Sequence, residues 1–503
     1  MAVSVLLAAA AGGCAVGPDF HRPAAPAVAG YTPTPPAPTA SAPVEGGQVQ
    51  RLVEGQEVAG QWWTMFGSGA LNALVEAALK ANPDLQSAEA ALRVAQENLA
   101  AARGSFFPSV DAQMASTRQK TAAVLASPLA SGNLLYSLHT AQLTVSYAPD
   151  VFGGVRREVE ASAAQAEVAA FQREAAYLTL TANVVAAAIQ EASLRAQVQA
   201  THEAVAVASR LLAAVRKQRQ AGQLGAADVA AQESALAQIE ATLPPLEKQL
   251  ALQRDLITVL AGRFPSETIT QTFELESLQL PQALPLSLPS RLVEQRPDIR
   301  AAEAQLHAAS AHIGVATAAR LPSITLSADL GSSALAFSKL FTGGTGFWGL
   351  TGGIAQPIFR GGTLLHQQRA AEAAYDQAAA QYRSTVLTAF QSVADTLHAI
   401  DADARALQAA SHAADAARKS LTIAQRQWTL GLIAYPAVLQ AEQAYQQSLV
   451  SLAQARAGRL ADSVALLQAL GGGWWNRAPA AARSSSVIGI SGIDTSGPSG
   501  PLT

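Results

Sequence analysis

Mostly apolar side chains fall on an alternating four-and-three spacing along two long stretches of this chain. In the first they are Leu194, Val198, Thr201, Val205, Ala208, Leu212 and Val215. In the second they are Val386, Phe390, Val393, Leu397, Ile400, Ala404 and Leu407. A mean step of 3.5 residues is a coiled-coil seam, which winds helices left-handed around their neighbours. Between Gly154 and Ala221 there is no Pro and no further Gly, so nothing there stops a helix. At 1.5 Å per residue such helices reach about 100 Å. No globular core is that wide, so both must project. Gly222 and Gly431 close the two stretches, as residues free to adopt positive φ do. Return helices are expected over roughly 226–260 and 436–470, the first kinked or broken at Pro244-Pro245.

A second pattern has period two. Ile324, Leu326, Ala328 and Leu330 alternate with Thr325, Ser327, Asp329 and Gly331. Ala141, Leu143, Val145 and Tyr147 alternate with Gln142, Thr144 and Ser146, and Val110, Ala112 and Met114 with Asp111 and Gln113. Trp348, Leu350 and Ile354 alternate with Gly-rich positions. Four strands follow, at about 106–121, 135–148, 321–334 and 347–359, each about the length that crosses a bilayer when tilted. In lipid, such strands must close into a barrel. Four are too few, since about eight is the practical minimum. The chain would then supply part of a barrel shared among subunits, with Asp111 and Asp329 facing its lumen. Alternation alone equally allows two hairpins in a soluble sheet.

The two patterns occur twice in the same order. Asn82-Pro83-Asp84-Leu85 returns as Arg296-Pro297-Asp298-Ile299, and Pro108-Ser109-Val110 as Pro322-Ser323-Ile324, both at an offset of 214. Tyr147 to Gly154 is echoed by Ile354 to Gly362, and Glu233 lines up with Glu442. Matched Pro and Gly punctuation marks one structural unit used twice. The expected organisation is a leader over 1–13, a Pro-rich segment over 14–67 and a first repeat over 68–262. A connector over 263–289, a second repeat over 290–470 and a tail over 471–503, mostly disordered, complete it. Within the first repeat, residues 68–103 read as helix interrupted near Asn82-Pro83.

Composition narrows the function. The chain has 503 residues, 50% hydrophobic and 14% charged, with net charge −3. That balance argues against a nucleic-acid surface. No run of eighteen or more apolar residues stands clear of charge, so no membrane-spanning helix is expected. The eight His show no metal-ligand spacing, and neither a phosphate loop nor a catalytic constellation is evident. No cofactor, metal or catalytic residue is expected. The one cysteine, Cys14, follows a short apolar run ending in Gly12-Gly13. That pattern resembles the end of an export signal with a lipidation site; an ordinary free thiol is the alternative.

The chain resembles the outer-membrane factor family of tripartite efflux pumps, in its lipoprotein branch. The motifs are Cys14-Ala-Val-Gly-Pro-Asp-Phe-His-Arg-Pro23, Trp62-Trp63 with Phe66-Gly67, and Asn82 to Leu85. Further ones are Tyr147 to Gly154, Leu288 to Arg300, Gln356 to Gly362, Gly431 to Gln440 and Ala469 to Trp474. The resemblance implies a mainly α protomer of tandem repeats with a membrane β-barrel part. Three protomers would form a twelve-stranded barrel and an α-helical periplasmic tunnel. It implies an acylated Cys14, outer-membrane lipid around the barrel, and docking to a periplasmic adaptor and an inner-membrane transporter of the RND type. The cargo would be drugs or other small toxic solutes. Export of polypeptides is the alternative within transport, and a lipid-tethered periplasmic coiled-coil scaffold the alternative outside it.

By the same resemblance the two Gly turns are the periplasmic tips that narrow the tunnel and meet the adaptor. Gly222, Asp228, Gly431, Tyr435 and Pro436 map there. Asp228 is the acid of the first turn, while Leu432, Ile433, Ala434 and Tyr435 suggest a hydrophobic constriction at the second. A plain N-cap is the alternative for Asp228. Arg216, Lys217, Arg219, Arg418, Lys419 and Arg426 flank the tips, as adaptor contacts, pore lining or a solvated helix face.

Overall fold

The computed structural model describes residues 15–122, 124 and 134–477. Cys14, the expected leader and residues 478–503 of the expected tail lie outside them. The two repeats appear as matched elements. In the first, helices α1 (Gly69–Ala81) and α2 (Pro83–Gly104) lead into strands β2 (Ser109–Lys120) and β3 (Leu135–Tyr147). A long helix α3 (Gly154–Gln220) and its return helix α4 (Ala226–Leu260) follow. In the second, α5 (Pro289–Gln295) and α6 (Pro297–Ala318) lead into β5 (Ser323–Ala334) and β6 (Gly346–Ala355), then α7 (Thr363–Thr429) and α8 (Tyr435–Ala469). The long helices have 67 residues each and the return helices 35 each. Between the repeats, β4 (Ala283–Leu286) pairs in parallel with β1 (Arg51–Glu54).

Local chemistry explains the boundaries. Asn82 breaks the helix between Ala81 and Pro83, and its side chain accepts from the amides of Asp84 and Leu85 at 2.9 and 3.2 Å. It thereby caps α2 while Pro83 occupies the first turn, where no amide partner is needed. Asp150, in the Tyr147 to Gly154 motif, accepts from the amides of Val155 and Arg156 and so starts α3. Of the kink or break expected at Pro244-Pro245, the break does not occur: α4 runs through both prolines. They stand on an exposed stretch, where water satisfies the two carbonyls that lose amide partners.

The seam of α7 is buried as its spacing requires: Val386, Val393, Leu397, Ile400, Ala404 and Leu407 are all enclosed, with Phe390 half-buried. In α3 the seam shifts by one residue in places. Gln197 and Ala204 are buried where Val198 and Val205 were expected.

The main core sits at the level of the connector. Trp62, Trp63 and Phe66 pack there with residues of α1, α3, α7 and α8. Arg459 of α8, 1% exposed, donates to the carbonyls of Gly46 and Gln48 and to Thr39 Oγ1 and Gln50 Oε1. That one side chain ties the Pro-rich segment to the helical body.

Candidate functional site: a two-faced sheet and a two-hairpin tip

One antiparallel sheet, in the order β2-β3-β5-β6, gathers all four long strands. Its register separates two faces. Asp111, Thr144, Asp329 and Gly349 form one row, and Ser109, Ser146, Ser327 and Thr351 another. The Thr144 hydroxyl donates to Asp329 Oδ1 at 2.7 Å. Asp111 and Asp329, expected to share a lumen, do lie on one face and in one row. The opposite face carries Val110, Val145, Ala328 and Leu350 in one row, and Ala112, Leu143, Leu330 and Trp348 in the next. Trp348, Leu350 and Ile354 are each more than three-quarters exposed. Five such rows, from Ile324 to Met114, run about 27 Å along the strands, comparable to the apolar band of a membrane barrel once tilted. Among the described residues, β2 and β6 have no partner on their outer edges. β2 and β6 run in opposite directions, so the two edges could join between copies without breaking the antiparallel order.

At the far end of the long helices the two hairpins share a small core. Leu212, Val215, Val229, Leu421, Ala424 and Val438 pack together there. Each first helix stops in the same way. Gly222, at φ 77°, donates to Arg219 O while Gln223 donates to Gln218 O. Gly431, at φ 74°, donates to Trp428 O while Leu432 donates to Gln427 O. This pair of bonds needs a left-handed residue, which is why glycine stands at both positions.

The remaining tip residues are placed differently from what the sequence suggested. Asp228 is not the N-cap of α4. It sits at the third helical position and accepts from the Gly225 amide at 2.9 Å. The Tyr435 side chain is buried between the hairpins. It is 2% exposed, stacks obliquely on Trp428 at 5.3 Å and donates to Gln232 Oε1. Gln232 in turn donates to Ala208 O at 2.9 Å, so α8, α4 and α3 are tied in one chain of bonds. Pro436 lies in the first turn of α8. The large apolar side chains most exposed at the second tip are Leu430 and Leu432, at 73% and 69%. Among the flanking cations, Arg216 bridges α3 to Glu233 of α4 at 2.7 Å, and Arg418 pairs with Asp415 within α7.

Sequence reading missed Glu442. It is 1% exposed, and its Oε1 has no hydrogen-bond partner. Burial pushes its carboxyl up to about 7. Its counterpart Glu233 is exposed and paired; nothing in the local sequence distinguishes the two.

The segment after Cys14 lies at the foot of the sheet. Val16 donates to Phe152 O at 3.0 Å, and Arg157 Nε donates to Val16 O. Arg157 pairs with Asp19 at 2.7 Å and holds its carboxyl below the usual range. Phe20 stacks on His307 and Arg22 pairs with Glu303. A Cβ at Gly153 would lie 2.5 Å from Ala15 Cα. The residue that follows Cys14 is therefore fixed where the strands enter the helical body.

Comparison with known proteins agrees with this geometry. Residues 74–263 and 288–472 match the family described as "Outer membrane efflux protein". A protein from Pseudomonas putida named "Pyoverdine export outer membrane protein OpmQ" is 30% identical over 452 residues, covering 89% of this chain and 95% of its own. "Probable efflux pump outer membrane protein TtgC", also from Pseudomonas putida, is 30% identical over 477 residues, covering 95% and 96%. The structure of the outer-membrane channel OprN superposes with a TM-score of 0.82 at 27% identity, covering 92% of this chain and all of that one.

Proposed function

The chain belongs to the outer membrane efflux protein family, and on that premise we propose that it works as a homotrimer, the exit duct of a tripartite efflux system. It resides in the outer membrane with its helical part in the periplasm. The observation that carries the trimer is the sheet. It has one apolar and one polar face, two free edges running in opposite directions, and only four strands. Joining β6 of one copy to β2 of the next, three times, gives twelve strands and leaves no open edge in lipid. The polar face, with Asp111 and Asp329, then lines a water-filled passage. A soluble scaffold would have no reason to expose Trp348, Leu350 and Ile354.

In this reading the periplasmic adaptor meets the two tips, and an inner-membrane transporter of the RND type supplies the energy. The duct itself is passive. Gly222 and Gly431 set the turns that the adaptor reads. Tyr435 and Asp228 hold the hairpins in the closed arrangement, and Leu430 and Leu432 supply apolar surface at the narrow end. Acylation of Cys14 would place the lipid beside the barrel foot, since Ala15 is fixed there. The cargo is a class of small solutes, as pyoverdine is for the relative OpmQ from Pseudomonas putida.

Planar-bilayer recording of the purified protein tests the duct. Discrete channels are expected, with cation preference reduced when Asp111 and Asp329 are both changed to Asn. An electrically silent preparation, or a selectivity indifferent to both acids, would remove the support for this reading.

A further inference from the structure

Beyond Met114 the outward face of the sheet changes character. The rows from Ile324 to Met114 are mainly apolar. Past them, on the same face by strand alternation, come Ser116 beside His139, then Arg118, then Lys120. Arg118 lies four residues beyond Met114, about 13 Å along the strand.

The connection between β5 and β6 folds onto this same outward side. Ser332, in the row of Met114, donates to Leu340 O and bonds Thr345 Oγ1 at 2.7 Å. The Phe337 ring meets His139 edge-on at 5.7 Å. Lys339 lies between those two contacts and is exposed, so it stands where the apolar band ends. Phe337 and Phe341 flank it, 61% and 81% exposed.

No Asp or Glu occurs between residues 112 and 149, or between 330 and 371. The outer rim therefore holds three outward or loop-borne cations and no acid to neutralise them. Directly inward lies a groove of about 500 Å³, lined by Ala112, Met114, Leu143, Leu330 and Phe341 among others. A cationic rim above an apolar slot suits an amphiphile with an anionic head, and phosphate is the anion that Arg and Lys hold best.

We propose that this rim binds a phosphorylated, multi-acylated glycolipid of the outer leaflet. Its phosphates lie on Arg118, Lys120 and Lys339, and one acyl chain lies in the groove beneath Phe341. The proposal rests on the outer-membrane reading given above.

The test measures thermal stabilisation of the detergent-purified full-length protein by bis-phosphorylated lipid A. The controls are the same lipid after phosphatase treatment and inorganic phosphate at matched concentration. The phosphorylated lipid is expected to bind about tenfold tighter or better than the dephosphorylated one. Inorganic phosphate alone is expected to stabilise nothing. Changing Arg118, Lys120 and Lys339 together to Gln should abolish the preference, and Lys339→Gln alone should reduce it several-fold. Equal affinity for the two lipids, full stabilisation by free phosphate, or undiminished preference in the triple variant would overturn the proposal. Should the triple variant fail to assemble, Lys339→Gln and the wild-type lipid comparison decide the matter. Single-channel recording of the same preparation separates the two levels. Channels without lipid preference refute the glycolipid site alone, whereas absence of channels refutes the membrane reading beneath it.

Discussion

Helices α2 and α6 have the same length and related sequences, yet α2 buries one residue, Leu85, and α6 buries ten. The difference lies in their neighbours. Helix α6 packs between α3 and α7, whereas among the described residues α2 packs chiefly on α3. Where α6 has Ala308, 0% exposed, α2 has Val94, 60% exposed. The flank of α7 that corresponds to the α6 side of α3 is likewise uncovered: Ala373 is exposed, whereas its counterpart Ala164 is buried. Repetition inside the chain thus shows what is missing outside it. The contact that α6 makes with α3 within one protomer is the contact that α2 should make with α7 of the next. The free edges of β2 and β6 point to the same joint.

The sharpest way to break this comparison is to put a carboxylate at the equivalent positions. Ala308→Asp buries an unpaired charge and should cost several kcal/mol, seen as lost helicity by circular dichroism. Val94→Asp should leave helicity intact and instead separate the subunits, seen by native mass spectrometry. Equal effects on helicity would mean that α2 has no hidden partner.

A second contrast runs across the sheet. Leu350→Lys puts a charge on the lipid face and should cost about 2–4 kcal/mol of stability in vesicles. Thr351→Lys, one residue on and facing inward, should cost little and alter conductance instead. Urea unfolding of both variants in liposomes checks the pair, and similar losses would dissolve the distinction between faces.

A third contrast lies between Glu442 and Glu233. The Glu442 carboxyl rises from an ordinary 4.5 to about 7 through burial. The folded protein therefore holds a proton that the unfolded chain has lost across that window. Stability should fall as pH rises from about 4.5 to 7, by on the order of 2–3 kcal/mol from this group. Asp462, pushed up to about 7 by burial and by Asp403, adds a slope of the same sign. Melting profiles of Glu442→Gln should be flatter than wild type over this range, and an unchanged slope in that variant would remove the effect from this carboxyl.

The smallest effects concern the tip. Tyr435→Phe removes the bond to Gln232, and Asp228→Asn weakens the tie to the Gly225 amide, each worth about 1 kcal/mol. Both should raise the conductance of the resting channel. Unaltered currents in both variants would separate these residues from the closed state.

The helices and strands were legible because their signals are local and repeated. The seams, the alternation and the matched Pro and Gly positions each depend on residues close in sequence. Asp111 and Asp329 could be assigned to one face from alternation alone. Tyr435 could not be placed, because its burial depends on Gln232, some two hundred residues away and on another hairpin. Glu442 escaped for the same reason, as did Arg459, whose acceptors lie in a Pro-rich segment more than four hundred residues upstream. Pro244-Pro245 misled as to a break because a proline's cost in a helix depends on whether water reaches the freed carbonyls, which is a property of the packed structure.

Native mass spectrometry of the detergent-extracted wild-type protein bears most directly on the shared barrel. Three copies of the protomer in a single particle is the expected result. A particle of one or two copies would contradict it, because the barrel would then have four or eight strands rather than twelve.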